Sequence, residues 1–439
     1  MPNDASALIA AVRAGDTDAA EKLLAAGAPP DARDETGYTA LGLATVRADT
    51  EMCDLLVRSG ADVDLRCPGG LTPIMLAADC GAIGAWNRLC AGSPDLSLRD
   101  DLGRDAMDIA RAWLGVDPAA ELLRRLGAAD GDEARTTREP APDEGIGSFE
   151  TVRVTTRTAT ASVQTGHAAI LTDAEERHGI RVPYYELADR ALAFDPEHAC
   201  RFYPAYALSK RLDDETLALA ARDLEAAPDP DRRRFAAEVL LTYGVFEGDE
   251  DEAVVRMEQA AAEVLRHCAA GEEEPEVVAA IVWGLGLHSD LRAVPEILRR
   301  AGHPDPEVRR QVALALQGMV GPGDTEALRT VIALTEDPDR QVRRYAANVL
   351  SDTKADTPVI RASLTRLMDD PDPDVAVEGA RGLALRDDLR ADIPLVRAYL
   401  SRADDSLAES HRAYDAIRRM PMERFLAARA VVESPGPAA

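Results

Sequence analysis

Apolar residues recur at helical spacing through two long blocks of the chain, 4–128 and 183–429, and within each block the pattern itself repeats. In the first block Gly37, Gly70 and Gly103 stand 33 residues apart. The same step joins Arg33, Arg66 and Arg99, then Leu23, Leu56 and Leu89, then Ala44, Ala77 and Ala110. Aligned rows read Gly37-Tyr-Thr-Ala-Leu-Gly-Leu-Ala44, Gly70-Leu-Thr-Pro-Ile-Met-Leu-Ala77 and Gly103-Arg-Asp-Ala-Met-Asp-Ile-Ala110. Further on come Leu-Leu or its equivalent and a Gly-Ala pair, as at Gly27-Ala28, Gly60-Ala61 and Gly127-Ala128. Two apolar stripes closed by a glycine predict two short antiparallel helices per copy, the second ending in the left-handed conformation. One period before Gly37 lies Asp4, so Ala5 to Ala11 opens a degenerate first copy.

The second block repeats differently. Asp305-Pro-Glu-Val308-Arg-Arg-Gln-Val-Ala, Asp339-Arg-Gln-Val342-Arg-Arg-Tyr-Ala-Ala and Asp372-Pro-Asp-Val375-Ala-Val-Glu-Gly-Ala are spaced by 34 and 33 residues. Looser copies begin at Glu274-Pro-Glu-Val277 and Asp229-Pro-Asp-Arg232. Asp caps a helix, Pro occupies the first helical position where no donor is missed, and Val opens the buried stripe. A preceding helix shows in Ala293-Val-Pro-Glu-Ile-Leu-Arg-Arg300 and Leu328-Arg-Thr-Val-Ile-Ala-Leu334.

The first block resembles ankyrin repeats, about four copies over 4–128. The histidine usual in that family's turn is replaced by Gly42, Met75 and Asp108, and the fourth copy carries one extra residue before Gly127. The second block resembles HEAT repeats of the type shared with phycobilin lyases, about six or seven helix pairs. The fold class that follows is all-α: two helical-repeat solenoids, ankyrin then HEAT-like, joined by a mostly irregular linker. Residues 129–182 form that linker. Its first part is rich in Ala, Asp, Glu, Gly and Pro without apolar periodicity. Residues 149–165 are β-branched and Thr-rich and read as disordered, with a segment docked on one array as the alternative. The tail, 430–439, reads as disordered.

Chemistry-bearing motifs are sparse. Gly318-Met-Val-Gly-Pro-Gly323 lacks the Lys-Ser/Thr of a phosphate loop and reads as a connector. No His-Glu-x-x-His, Cys-x-x-Cys or Gly-x-Ser-x-Gly occurs. Cys53 and Cys90 read as packing thiols, Cys200 and Cys268 likewise. The expectation is therefore no catalytic, cofactor-binding or metal residues.

Repeat arrays instead present a row of equivalent positions. In the ankyrin block these are Arg13, Arg47, Asp79 and Trp113 before the helix–helix turns, with Tyr38, Leu71 and Arg104 at the finger tips. Arg, an acid and Trp are the mixture that binding hot spots favour, though Trp113 also suits packing under the irregular fourth copy. Trp86 reads as core, and Arg33, Arg66 and Arg99 as a ladder with Asp34 and Asp100. In the HEAT block Arg309-Arg310 and Arg343-Arg344 recur on second helices, as a ladder to neighbouring Asp residues or as a basic strip for an acidic peptide.

Charge narrows the partner. The formal net charge is −28 and aromatic residues make up 4%, which opposes nucleic acid and anionic membrane as ligands. No apolar run nears the roughly 20 residues of a bilayer span, and the first residues carry no leader pattern. Six scattered cysteines fit a reducing cytoplasm, and the Ala/Arg-rich, Lys-poor composition a bacterial source. The function predicted is a non-enzymatic scaffold or adaptor binding protein partners. A HEAT-like lyase subunit and a regulatory inhibitor or immunity protein are the alternatives.

Overall fold

The computed structural model describes residues 2–127, 134–141, 148–245, 251–401, 414 and 416–434. The chain divides into two compact units, one reaching Arg211 and the other starting at Leu212.

In the N-terminal unit the predicted pairs are α1 (Pro2–Ala14) with α2 (Thr17–Ala25), α3 (Ala40–Val46) with α4 (Thr50–Arg58), and α5 (Pro73–Cys80) with α6 (Ile83–Ala91). The first helices stack in sequence onto α7 (Ala106–Arg111). Side chains of Asp16, Thr39, Asp49 and Asp105 cap these helices, each accepting a backbone N–H three residues on. The repeated columns become the core: Ala44, Ala77, Ala110, Leu56 and Leu89 are wholly buried. The arginine ladder exists, but its rungs are carbonyls rather than Asp34 and Asp100. Arg33 donates to Gly37 O and, one period on, to Arg66 O, while Arg66 donates to Gly70 O and Arg99 O. Asp34 and Asp100 are instead consumed by their own turns, accepting from Tyr38 N and Arg104 N.

The fourth copy departs from the pattern. Helix α8 (Pro118–Arg125) packs on a three-stranded antiparallel sheet of β1 (Arg135–Pro140), β2 (Glu150–Thr155) and β3 (Thr160–Gln164). Helix α9 (His167–Arg177) packs against α7 and beside α6, the place that a fourth outer helix would fill. So 129–182 is not an irregular linker wherever it is described. Residues 149–165 alternate, and Val152, Val154 and Val163 bury one sheet face against Trp113 and Leu122. The missing edge comes from Arg135–Pro140, whose polar, exposed side chains gave no strand signal. Residues 129–133 and 142–147 of the expected linker lie outside the described residues.

Helices α10 (Tyr184–Leu192) and α11 (Phe202–Ser209) also belong to this unit. Phe149, Cys200 and Tyr203 share its core with the ankyrin helices, so the boundary falls at 211 rather than 183.

The C-terminal unit is a run of helix pairs: α12 (Asp214–Ala226) with α13 (Pro230–Thr242), α14 (Glu252–Ala269) with α15 (Pro275–Leu287), and α16 (Val294–Leu298) with α17 (Pro306–Ala315). Then come α18 (Thr325–Leu334) with α19 (Arg340–Asp352), α20 (Pro358–Leu367) with α21 (Pro373–Ala384), and α22 (Asp392–Ser401) with α23 (Met422–Glu433). Second helices α13, α15, α17, α19 and α21 pack one on the next in a single row. Asp229, Asp305, Asp339 and Asp372 cap their helices as expected, and Val277, Val308, Val342 and Val375 are wholly buried. Helix α23 runs to Glu433, so the tail is ordered through its first residues; 435–439 lie outside the described residues.

Candidate interaction surfaces

The ankyrin positions expected to greet a partner are largely engaged by the chain itself. Arg13 pairs with Asp34 at 2.8 Å and Glu35 at 2.7 Å. Arg104 grips the buried Asp100 through Nε at 3.0 Å and Nη2 at 2.8 Å. Tyr38 and Leu71 are half-buried. Arg47 is exposed and its side chain makes no ion pair or hydrogen bond among the described residues.

Asp79 and Trp113 are brought together, but inward. Helix α8 lays Arg125 over both: its guanidinium bonds Asp79 at 2.7 and 2.9 Å and stands 4.6 Å from the Trp113 ring. The indole donates to Asp79 at 3.2 Å and stacks on His167 at 4.4 Å between centroids, leaving Trp113 5% exposed. The sheet continues this cover. Gly81, at φ +60, turns α5 into α6, and Gly166 donates to its carbonyl at 3.1 Å. A Cβ on Gly81 would collide with the Gln164 carbonyl, so only glycine admits the strand end there.

Electrostatics follow from this closure. Burial raises the Asp79 carboxyl, but the Arg125 pair outweighs it and holds the group below its ordinary value. His167 is pushed down to about 4 by desolvation and donates from Nε2 to Asp79 O at 3.3 Å as a neutral ring. Burial also pushes the thiols of Cys53, Cys80, Cys90 and Cys200 up to about 12 and that of Cys268 to about 11. They are inert thiols at neutral pH. Trp86 is wholly buried, as expected, and its indole donates to Asp173 on α9 at 2.7 Å.

In the C-terminal unit the first arginine of each pair is a ladder rung. Arg309 makes a two-point bond to Asp337 at 2.7 and 2.9 Å and donates to His303 O and Pro304 O. Arg343 repeats this with Asp370 at 2.9 and 3.1 Å and with Asp337 O and Pro338 O. Arg233 does the same with Glu272. Each rung ties a helix start to the turn of the next pair. The second arginines are neutralised as well: Arg310 bonds Glu307, and Arg344 lies 3.5 Å from Asp374. A free basic strip is therefore not what this row presents.

It presents an indole instead. Trp283 on α15 is 45% exposed, with Leu287 on the same helix at 39%. Periodicity does not mark it out, because Val277–Leu287 is apolar all round and offers no polar face. A signal did exist in the copies: six residues past the buried valine stand Trp283, Leu314, Asn348 and Arg381, and two of the sister positions, Asn348 and Arg381, are polar. Asn348 there accepts from Gln317 at 3.0 Å and donates to Glu378 at 3.4 Å, so the row passes from apolar at α15 to a polar ladder at α19 and α21.

Among the described residues no group of three or more His, Cys, Asp and Glu is placed to hold a metal ion, and no helix is long and apolar enough to cross a membrane. Residues 7–123 match the family model for ankyrin repeats (3 copies), and residues 262–351 match that for HEAT repeats. The chain thus carries ankyrin repeats followed by HEAT repeats. No curated protein matches it.

Proposed function

We propose that the chain is a non-enzymatic protein-interaction scaffold whose main docking surface is the row of second helices in the HEAT unit, centred on Trp283. One observation carries this reading: of three tryptophans, two are spent inside the N-terminal unit and the third is 45% exposed on a packed, pre-organised row. Both matched repeat families supply modules that bind other proteins, which supports the class. The partner segment offers an apolar or aromatic side chain to Trp283 and Leu287. In the ankyrin unit Tyr38, Arg47 and Leu71 remain as a second, smaller surface. Two such units on one chain suit bridging two partners or gripping one at two points. All six cysteines are free thiols, which fits a reducing compartment such as the cytoplasm.

The test is quantitative capture by the full chain and by Trp283→Ala, with folding checked by circular dichroism. The expected result is at least a tenfold loss, in the variant, of specific proteins retained by the wild type. Equal retention by both would overturn the assignment of the surface.

A further inference from the structure

In a chain of net charge −28, one cavity of about 540 Å³ in the HEAT unit is lined by four cations, Lys354, Arg381, Arg386 and Arg419. Lys354 is one of only three lysines in the sequence. The cavity lies where α19 and α21 end, and Asp352 also lines it.

What each cation already bonds decides what the cavity accepts. Arg386 is fully spent. It donates to Ser351 O at 3.1 Å, Gly382 O at 2.7 Å, Thr353 O at 2.6 Å and Ala355 O at 2.9 Å. Its charge offsets the negative ends of the two helices. Arg381 is partly spent, with Nε on Glu378 and Nη1 on Asp352, both at 2.7 Å, while its buried Nη2 has no acceptor. Lys354 and Arg419 are exposed and make no hydrogen bond or ion pair among the described residues. Three donors on residues that line the cavity thus lack an acceptor of their own: Lys354 Nζ, the Arg419 guanidinium and the buried Arg381 Nη2. Arg381 faces two carboxylates, so net attraction rests on Lys354 and Arg419.

We infer that this cavity binds a phosphate group. Donors at three separate positions match a tetrahedral oxyanion with three terminal oxygens better than a planar carboxylate, which one arginine fork satisfies. The volume admits a phosphate monoester with part of what carries it. The site is independent of the Trp283 surface and stands whether or not that surface docks protein.

Isothermal titration of the full chain at constant ionic strength tests it, with inorganic phosphate and with a phosphothreonine peptide as probes. Saturable binding is expected, weakened at least tenfold in Lys354→Ala/Arg419→Ala. Both side chains are exposed, so the fold survives their loss. The charge control Arg88→Ala/Arg340→Ala, at exposed positions elsewhere, binds as the wild type does. A peptide bound tenfold tighter than inorganic phosphate assigns the group to a phosphorylated protein; equal affinities assign it to free phosphate. No saturable binding, no change in the double variant, or an equal loss in the control overturns the site.

Discussion

At the scale of single residues, a buried histidine gives the N-terminal unit a defined acid sensitivity. His167 titrates near 4 when folded, against an ordinary value of 6.5. A depressed histidine is neutral in the native state, so the unfolded chain binds the extra proton. Its stabilisation is complete above pH 6.5 and is lost as pH falls toward 4, about 3 kcal/mol across that window. Hydrogen exchange in α8 and β2 should quicken over this range, and His167→Gln, which keeps a donor for Asp79 O, should flatten the dependence. An unchanged slope in the variant would assign the sensitivity elsewhere. Gly81→Ala makes a second residue-scale test. Its φ is left-handed and its Cβ meets a carbonyl, so a loss of about 2 kcal/mol or more is expected in thermal unfolding of this unit.

At the scale of elements, what was legible in the sequence was whatever repeats. The 33-residue columns give the helix pairs, caps and cores because each copy solves the same packing problem. What escaped was set by partners distant in sequence. Strand β1 has no apolar face and exists because β2 offers it a ladder. Helix α9 reads as any short helix, and only the displacement of α8 gives it the outer place beside α6. The sequence admits Trp113 as a binding residue or as packing, and Arg125, 12 residues on and over the ring, decides for packing. The ladder arginines belong here too. Removing Arg309 strands the largely buried Asp337 carboxylate, and Arg309→Ala should cost about 1–3 kcal/mol in urea unfolding of the HEAT unit. Arg309→Ala/Asp337→Asn should recover part of that loss, since the uncompensated charge goes with it. Equal losses in single and double variants would mean the rung is not coupled.

At the scale of the whole molecule, two repeat units share one economy: arginines at repeated positions, Arg33, Arg66, Arg233, Arg309 and Arg343, fasten the array to its own next copy. Arg309 and Arg343, which pattern alone marks as offered to a partner, are in the structure bolts between copies. Trp283 and Leu287 stand exposed on the packed row of one unit, and Arg47 is exposed on the other. Hydroxyl-radical footprinting of the full chain, with and without its captured partner, reads the three indoles directly. The expected result is that Trp283 is oxidised in the free chain and protected in the complex, while Trp86 and Trp113 stay unreactive in both. A partner that leaves Trp283 as reactive as before would contradict it.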